Sequence, residues 1–359
     1  MTAAGVRPGR SRALDGLRGL AVALVVGQHW IGEHAGWWQG AGPGVEIFFV
    51  LSGFLVTTWL WRPGAAYRPF LRARVVRLVP PTLVLVAVGL VLAAALPVSG
   101  VDPRIALRSA LITLAHLTAP AAAAGLDLRP FGITWSLTVE WYFYLLWPLV
   151  VLHWRRRGTD PARCARVTLV IALAVYAVSL PMPSAWYYFG PLSRFAPLLA
   201  GAALALHLGA RGPRRLPPAW AATGLAAVVV WQLLGTDQNS AWHRLLGTPL
   251  VVAATVATLV VAHDRTAAPV LRVLESPVLV GLGHVSFSLY LWHTLPWTLL
   301  TERSTGLGHL PLLGIWAAST ALLTALGYVL VERPCHRRAR RAPTRPSTAV
   351  TPAPERTSP

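Results

Sequence analysis

Charge is scarce in this chain of 359 residues. Asp, Glu, Lys and Arg make up 13% of it, against about 25% in a typical soluble domain. Apolar residues make up 55%, and mean hydropathy is +0.54. No polar stretch is long enough for a separate soluble domain, so the chain reads as one polytopic membrane bundle between two polar tails. Lysine is missing altogether, since the 32 basic residues are all arginine. With 13 acidic residues they give a net charge of +19. In a soluble protein that charge would raise nucleic-acid binding. Here the arginines fall in loops between apolar runs, so the charge reads as membrane topology and no nucleic-acid partner is expected. Cysteine is almost absent. Cys164 and Cys335 both lie beside arginine clusters assigned to the cytoplasmic side, which argues against a structural disulfide. Without close histidine spacing they suggest no zinc site, and no metal is expected. A small-residue cleavage site is also lacking after the first apolar run, where Trp30, Ile31 and Glu33 follow. That run is therefore read as a retained helix and not as a signal peptide. No internal repeat is visible, which weakens an inverted-repeat transporter.

The apolar runs are counted as about ten spans, roughly 13–31, 45–61, 78–97, 133–152, 167–181, 191–208, 218–235, 246–263, 278–300 and 311–331. A further piece, 105–118, contains Arg108 and His116 and is read as a surface or re-entrant helix. With ten spans and a cytoplasmic N-terminus, twenty-six of the 32 arginines fall in cytoplasmic segments, as the positive-inside rule requires. Counting 105–118 as a span would put Arg155, Arg156 and Arg157 outside. The expected fold is an all-α transmembrane helix bundle with both termini cytoplasmic. Residues 1–12 form an N-terminal tail, 13–334 the membrane domain, and 335–359 a basic, disordered tail near anionic lipid. No esterase-like soluble domain is read after the last span.

Within the first span, Arg18 and His29 are eleven positions apart. That is close to three helical turns, so they share a face about 16 Å apart along the axis. Asp15 lies on the same side, three residues before Arg18. Ionisable side chains in a span usually face a protein interior or wet cavity and serve function, and a neutral imidazole can take a proton from a hydroxyl and return it to a leaving group. Glu46 opens the second span across a short loop from His29 and is expected to orient the imidazole. The alternative is an interfacial charge at a helix start. Ser52 and Gly53 are read as close-packing residues. Arg74 and Arg77, spaced i, i+3 at the start of the third span, suit a phosphate-bearing ligand, the alternative being ordinary anchoring. Glu140 lies inside a span, Trp135 and Tyr142 suit an interfacial belt, and His293 in the ninth span could line the same cavity.

The run Leu14-Asp15-Gly16-Leu17-Arg18, with ten residues between Arg18 and His29, resembles the first-helix signature of the acyltransferase 3 family of integral membrane acyltransferases. Gly44-Val45-Glu46 through Ser52-Gly53-Phe54 resembles the second motif, and Arg74-Val75-Val76-Arg77 before Pro80 the paired-arginine motif. Trp135 to Glu140, Ser286 to His293, and Val331-Glu332-Arg333-Pro334 resemble three more, in order through nearly the whole chain. One departure is Trp141, where the family usually has a second acidic residue, so Glu140 alone must do what that pair does.

The resemblance implies acyl transfer, acetyl in the first instance, from acyl-coenzyme A to a hydroxyl of a carbohydrate, cell-envelope glycan or other small acceptor. No bound cofactor is implied, because the acyl-coenzyme A is a substrate. His29 would be the base, with Arg18, Glu46 and Glu140 beside it in catalysis. Arg74 and Arg77 would hold the donor's phosphates, and Asp15, Trp135, Tyr290 and His293 would line the substrate cavity. Transfer through a covalent His29 intermediate and direct transfer both remain open. The rival reading is a proton-coupled transporter of an anionic small molecule or lipid-linked sugar, with His29 as proton relay. A lipid-binding scaffold gives no reason for Arg18 and His29 to share a face.

Overall fold

The computed structural model describes residues 11–32, 42–96, 100–212, 215–235, 237, 240–264, 268–335 and 337. The N-terminal tail and the basic C-terminal tail expected from the sequence lie almost wholly outside the described residues. Among the described residues the regular structure is helical. In chain order it runs α1 (Arg12–Gly27), α2 (Pro43–Leu60), α3 (Tyr67–Ala95), α4 (Pro103–Leu114), α5 (Thr118–Ala123), α6 (Trp135–Arg156), α7 (Pro161–Ser179) and α8 (Ser184–Phe189). The chain continues through α9 (Pro191–Arg211), α10 (Pro218–Leu233), α11 (Thr248–His263), α12 (Pro269–Leu274), α13 (Pro277–Trp292), α14 (Thr294–Leu299), α15 (Glu302–Thr305) and α16 (His309–Leu326). Eight helical stretches are long and apolar enough to cross a membrane. The shorter apolar α10 and the charged α1 complete the ten rods, so this is a multi-pass membrane bundle.

Three rods carry wider π turns, at Gln28–Gly32, His243–Gly247 and Gly327–Glu332. Such turns are frequent at functional sites. The piece 105–118 divides into α4 and α5, with His116 in the left-handed region at the turn between them (φ 54°). At 12 residues α4 is only about 18 Å long, too short to span. It lies along α3 and buries Ala106, Ser109, Ala110 and Thr113. The Ser109 hydroxyl donates to Leu128 O (2.6 Å). The third rod begins earlier than hydropathy alone suggests. Pro69 falls in the first turn, where its missing N–H would have no intrahelical partner, so Arg68, Arg72, Arg74 and Arg77 all lie on α3 before its internal Pro80 and Pro81.

Close helix packing fixes the centre of the bundle. A Cβ on Gly16 would stand 1.7 Å from Leu274 O, one on Gly19 1.9 Å from Leu279 O, and one on Gly283 1.8 Å from Asp15 O. Side chains at those positions would push α1 off α12 and α13. The same device joins α2 to α9, where a Cβ on Gly53 would lie 1.8 Å from Leu198 O and one on Gly201 2.0 Å from Val50 O. Backbone approach through small residues is how helices associate where lipid removes the hydrophobic driving force. Large apolar residues such as Val170, Leu310 and Leu330 stay exposed on the outside, as a lipid-facing surface requires. The central rods α1, α2, α3, α6 and α13 then enclose a cavity.

Candidate active site

The cavity measures about 230 Å³. One helical face of α2 supplies Val45, Phe48, Phe49, Ser52, Leu55 and Val56, spaced three to four apart. The i, i+4 series Ser136, Glu140 and Tyr144 comes from α6. Arg18 enters from α1, Arg74 and Arg77 from α3, and Ser286, Phe287 and Tyr290 from α13. Three guanidiniums and one carboxylate in this small volume leave it strongly cationic, so it suits an anion.

Each arginine is held by identifiable partners. Arg18 Nη1 donates to Asp15 Oδ1 at 2.9 Å. The guanidinium carbon of Arg74 lies 5.2 Å from both the Phe70 and the Tyr144 ring centroids, and that of Arg77 lies 5.9 Å from Phe287. Stacking on rings orients a guanidinium while leaving its N–H edge open. Arg77 Nε is buried without a protein acceptor. The Ser52 hydroxyl donates to Glu140 Oε1. Further along, Tyr290 OH bonds Ser136 Oγ (2.6 Å) and donates to Ile133 O (3.1 Å).

The cavity ends at Tyr290. One turn further along α13, at the helix's C-terminal boundary, His293 is fully buried, its ring centroid 5.8 Å from that of Tyr290. His29, in the π turn that continues α1, packs edge-on to His293 at 5.0 Å and to Trp297 at 5.8 Å. His29 Nδ1 donates to Val25 O (2.9 Å), and His293 Nδ1 donates to Tyr290 O (2.8 Å). Trp30 Nε1 donates to His293 O at 3.1 Å. Tyr290, His293 and His29 therefore form a file of rings beyond the cavity, whose own lining contains neither histidine.

Several residues expected in this site take other places. Glu46 does not touch His29. It is buried on α2, where Oε1 accepts from Arg194 Nη1 (2.8 Å) and Thr248 Oγ1 (2.7 Å), with His243 Nε2 at 3.6 Å. Arg194 lies inside α9, its guanidinium over Tyr188 (4.8 Å) and Tyr187 (5.5 Å). Trp135 does not line the cavity and is not interfacial. It is buried against Phe49, Tyr188 and Phe189, 5.9 Å from the Arg194 guanidinium. Asp15 stands behind Arg18, not in the cavity, with His284 Nε2 3.4 Å from its other oxygen. His293 lies just past the cavity wall.

Gly53 is a close-packing residue, but its neighbour Ser52 faces the cavity and holds Glu140. Ser52 was findable, since it shares the α2 face with Val45 and Phe48. Tyr144 was likewise findable one turn after Glu140. Among the described residues no group of three His, Cys, Asp or Glu side chains could hold a metal ion.

The geometry thus defines a membrane bundle with a cationic internal cavity and, beyond its Tyr290 wall, a pair of packed histidines. The acyltransferase 3 family, described as an acyltransferase domain, matches residues 11–332, and the chain belongs to that family. It is similar to a peptidoglycan O-acetyltransferase of Listeria monocytogenes, 26% identical over 90% of this chain and 55% of the relative. It is also similar to an O-acetyltransferase of Staphylococcus aureus, 25% identical over 90% of this chain and 57% of the relative. The chain thus spans little more than half the length of these curated relatives. No solved structure matches it.

Proposed function

We propose that the chain is a membrane O-acetyltransferase that takes an acetyl group from acetyl-coenzyme A and places it on a hydroxyl of a cell-envelope glycan. The observation that carries this reading is the file of groups from Arg18, Arg74 and Arg77 to His29. The donor carries several phosphates at one end and its reactive thioester at the other, so it needs cations and a base separated along one path. Arg18, Arg74 and Arg77 supply the cations, and bidentate guanidinium–phosphate contacts suit that role. The arginine bias between loops supports a cytoplasmic position for this end of the bundle, the side on which the donor is made.

At the far end, His29 Nε2 accepts the proton of the acceptor hydroxyl. The oxygen attacks the thioester carbonyl carbon, the C–S bond breaks, and the leaving thiolate takes the proton back from the imidazolium. The products are an O-acetyl ester and free coenzyme A, with His29 neutral again. Glu140 and Ser52 border the path of the donor's arm, and Tyr290 stands between that path and the histidines. The names of the relatives support acetyl as the acyl group and peptidoglycan as the acceptor class.

The test uses the purified chain in lipid nanodiscs with acetyl-coenzyme A and peptidoglycan oligosaccharides. Release of one free thiol per ester formed is expected. Uptake of substrate into vesicles along a proton gradient, with no thiol release, would replace the enzyme by the transporter.

A further inference from the structure

We propose that His293 is a positioning residue that holds His29 in the tautomer with its proton on Nδ1 and its lone pair on Nε2. This rests on His29 being the base. Only one placement of the ring protons satisfies every contact of the two imidazoles. His293 Nδ1 faces two backbone carbonyls, Tyr290 O at 2.8 Å and Leu289 O at 3.2 Å. A carbonyl only accepts, so Nδ1 of His293 carries the proton. In the neutral ring Nε2 is then an acceptor, and it stands 3.4 Å from His29 Nδ1. His29 Nδ1 also faces Val25 O at 2.9 Å. Both neighbours of that nitrogen are acceptors, so it too carries the proton. The opposite tautomer of either ring would set lone pair against lone pair in a buried site, where an unmet acceptor is costly.

The consequence concerns the reacting atom. With Nδ1–H shared between Val25 O and His293 Nε2, the free lone pair of His29 is on Nε2, on the opposite side of the ring. When Nε2 takes a proton, the imidazolium's Nδ1–H already has two acceptors in place. A carboxylate usually fills that place. Here Glu46, the carboxylate the sequence offers for it, is bound to Arg194 and Thr248 instead. The second histidine takes over through α13, whose C-terminal turn fixes its ring by two backbone carbonyls. Being fully buried and neutral, His293 orients the base without bringing a second charge into the bundle.

The test labels the full chain with nitrogen-15 histidine in nanodiscs and reads the ring nitrogens by NMR, the His29 signals being assigned by their loss in His29→Gln. The wild type is expected to show His29 protonated on Nδ1. His293→Ala should give a mixture of tautomers. It should also lower kcat by roughly 10–100-fold, a fraction of what a general base supplies, with KM for acetyl-coenzyme A unchanged. His293→Gln, whose amide oxygen reaches the place of Nε2, should recover most of kcat. His293→Asn, which reaches only the place of Nδ1, should not. A wild-type His29 protonated on Nε2, or a His293→Ala variant with wild-type kcat, overturns the inference. If His293→Ala does not insert, the wild-type spectrum and the Gln–Asn contrast still decide it. Retained transfer by His29→Ala would remove the base reading while leaving the spectrum to report on the pair.

Discussion

Glu46→Gln distinguishes a carboxylate that orients His29 from one that holds helices together. Glu46 is 1% exposed and Arg194 2%. Their 2.8 Å contact joins α2 to α9, and Thr248 and His243 tie it to α11 and the π turn before it. Removing the charge from Glu46 leaves the Arg194 guanidinium buried beside Tyr187 and Tyr188 with no anion, and Arg194 Nη2 already lacks a partner. Breaking a buried pair from one side costs about 3–5 kcal/mol. Replacing both residues by neutral ones of similar volume is often close to neutral. Glu46→Gln and Arg194→Gln should therefore each destabilise by about 3–5 kcal/mol, and the double variant by much less than their sum. The assay is reversible unfolding of the purified protein in mixed micelles, with acetyl transfer measured on the fraction that stays folded. Specific activity of that fraction should remain near wild type. A stable Glu46→Gln protein with no activity would refute the reasoning and return Glu46 to the base.

Replacing Arg18, Arg74 or Arg77 singly by Ala should weaken acetyl-coenzyme A binding by about 10–100-fold each, the range for one charge-assisted hydrogen bond. Titration calorimetry at two salt concentrations checks this, and the wild-type affinity should fall as salt rises. Gly283→Val, whose Cβ would meet Asp15 O at 1.8 Å, should separate α13 from α1 and cost more than the roughly 1–3 kcal/mol usual for overpacking. Its melting temperature in detergent reads that loss. Ser52→Ala removes the hydroxyl that donates to Glu140. Losing a hydrogen bond to this part-buried carboxylate should cost about 1.5–3 kcal/mol of stability, the range for a bond to a charged group, read as a lower melting temperature in detergent.

The ten rods were legible because hydropathy and arginine placement report them directly. That 105–118 is not a span was legible from Arg108 and His116, and its first helix is only 12 residues long. The Arg74–Arg77 pair was legible from its i, i+3 spacing, and Glu140 from its cost inside a span. Partners distant in sequence were not. Nothing local joins Glu46 to Arg194, 148 residues away, so proximity in sequence favoured His29 as its partner. Ser52 was misread because a small residue beside Gly53 suggests packing, although its own helical face held the better signal. The relation of Arg18 to His29 needed the structure as well. Arg18 lines the cavity, whereas His29, eleven residues further on, packs against His293 and Trp297 outside its lining.

In the proposed mechanism the arginine-lined cavity delivers an acyl donor to His29. Acetyl transfer from radiolabelled acetyl-coenzyme A by His29→Ala in nanodiscs, with donor binding measured on the same sample, tests it most directly. Donor affinity should stay within about twofold of wild type, since the arginines proposed to hold the phosphates are untouched, and label transfer should fall to background. Transfer at the wild-type rate by His29→Ala would contradict it.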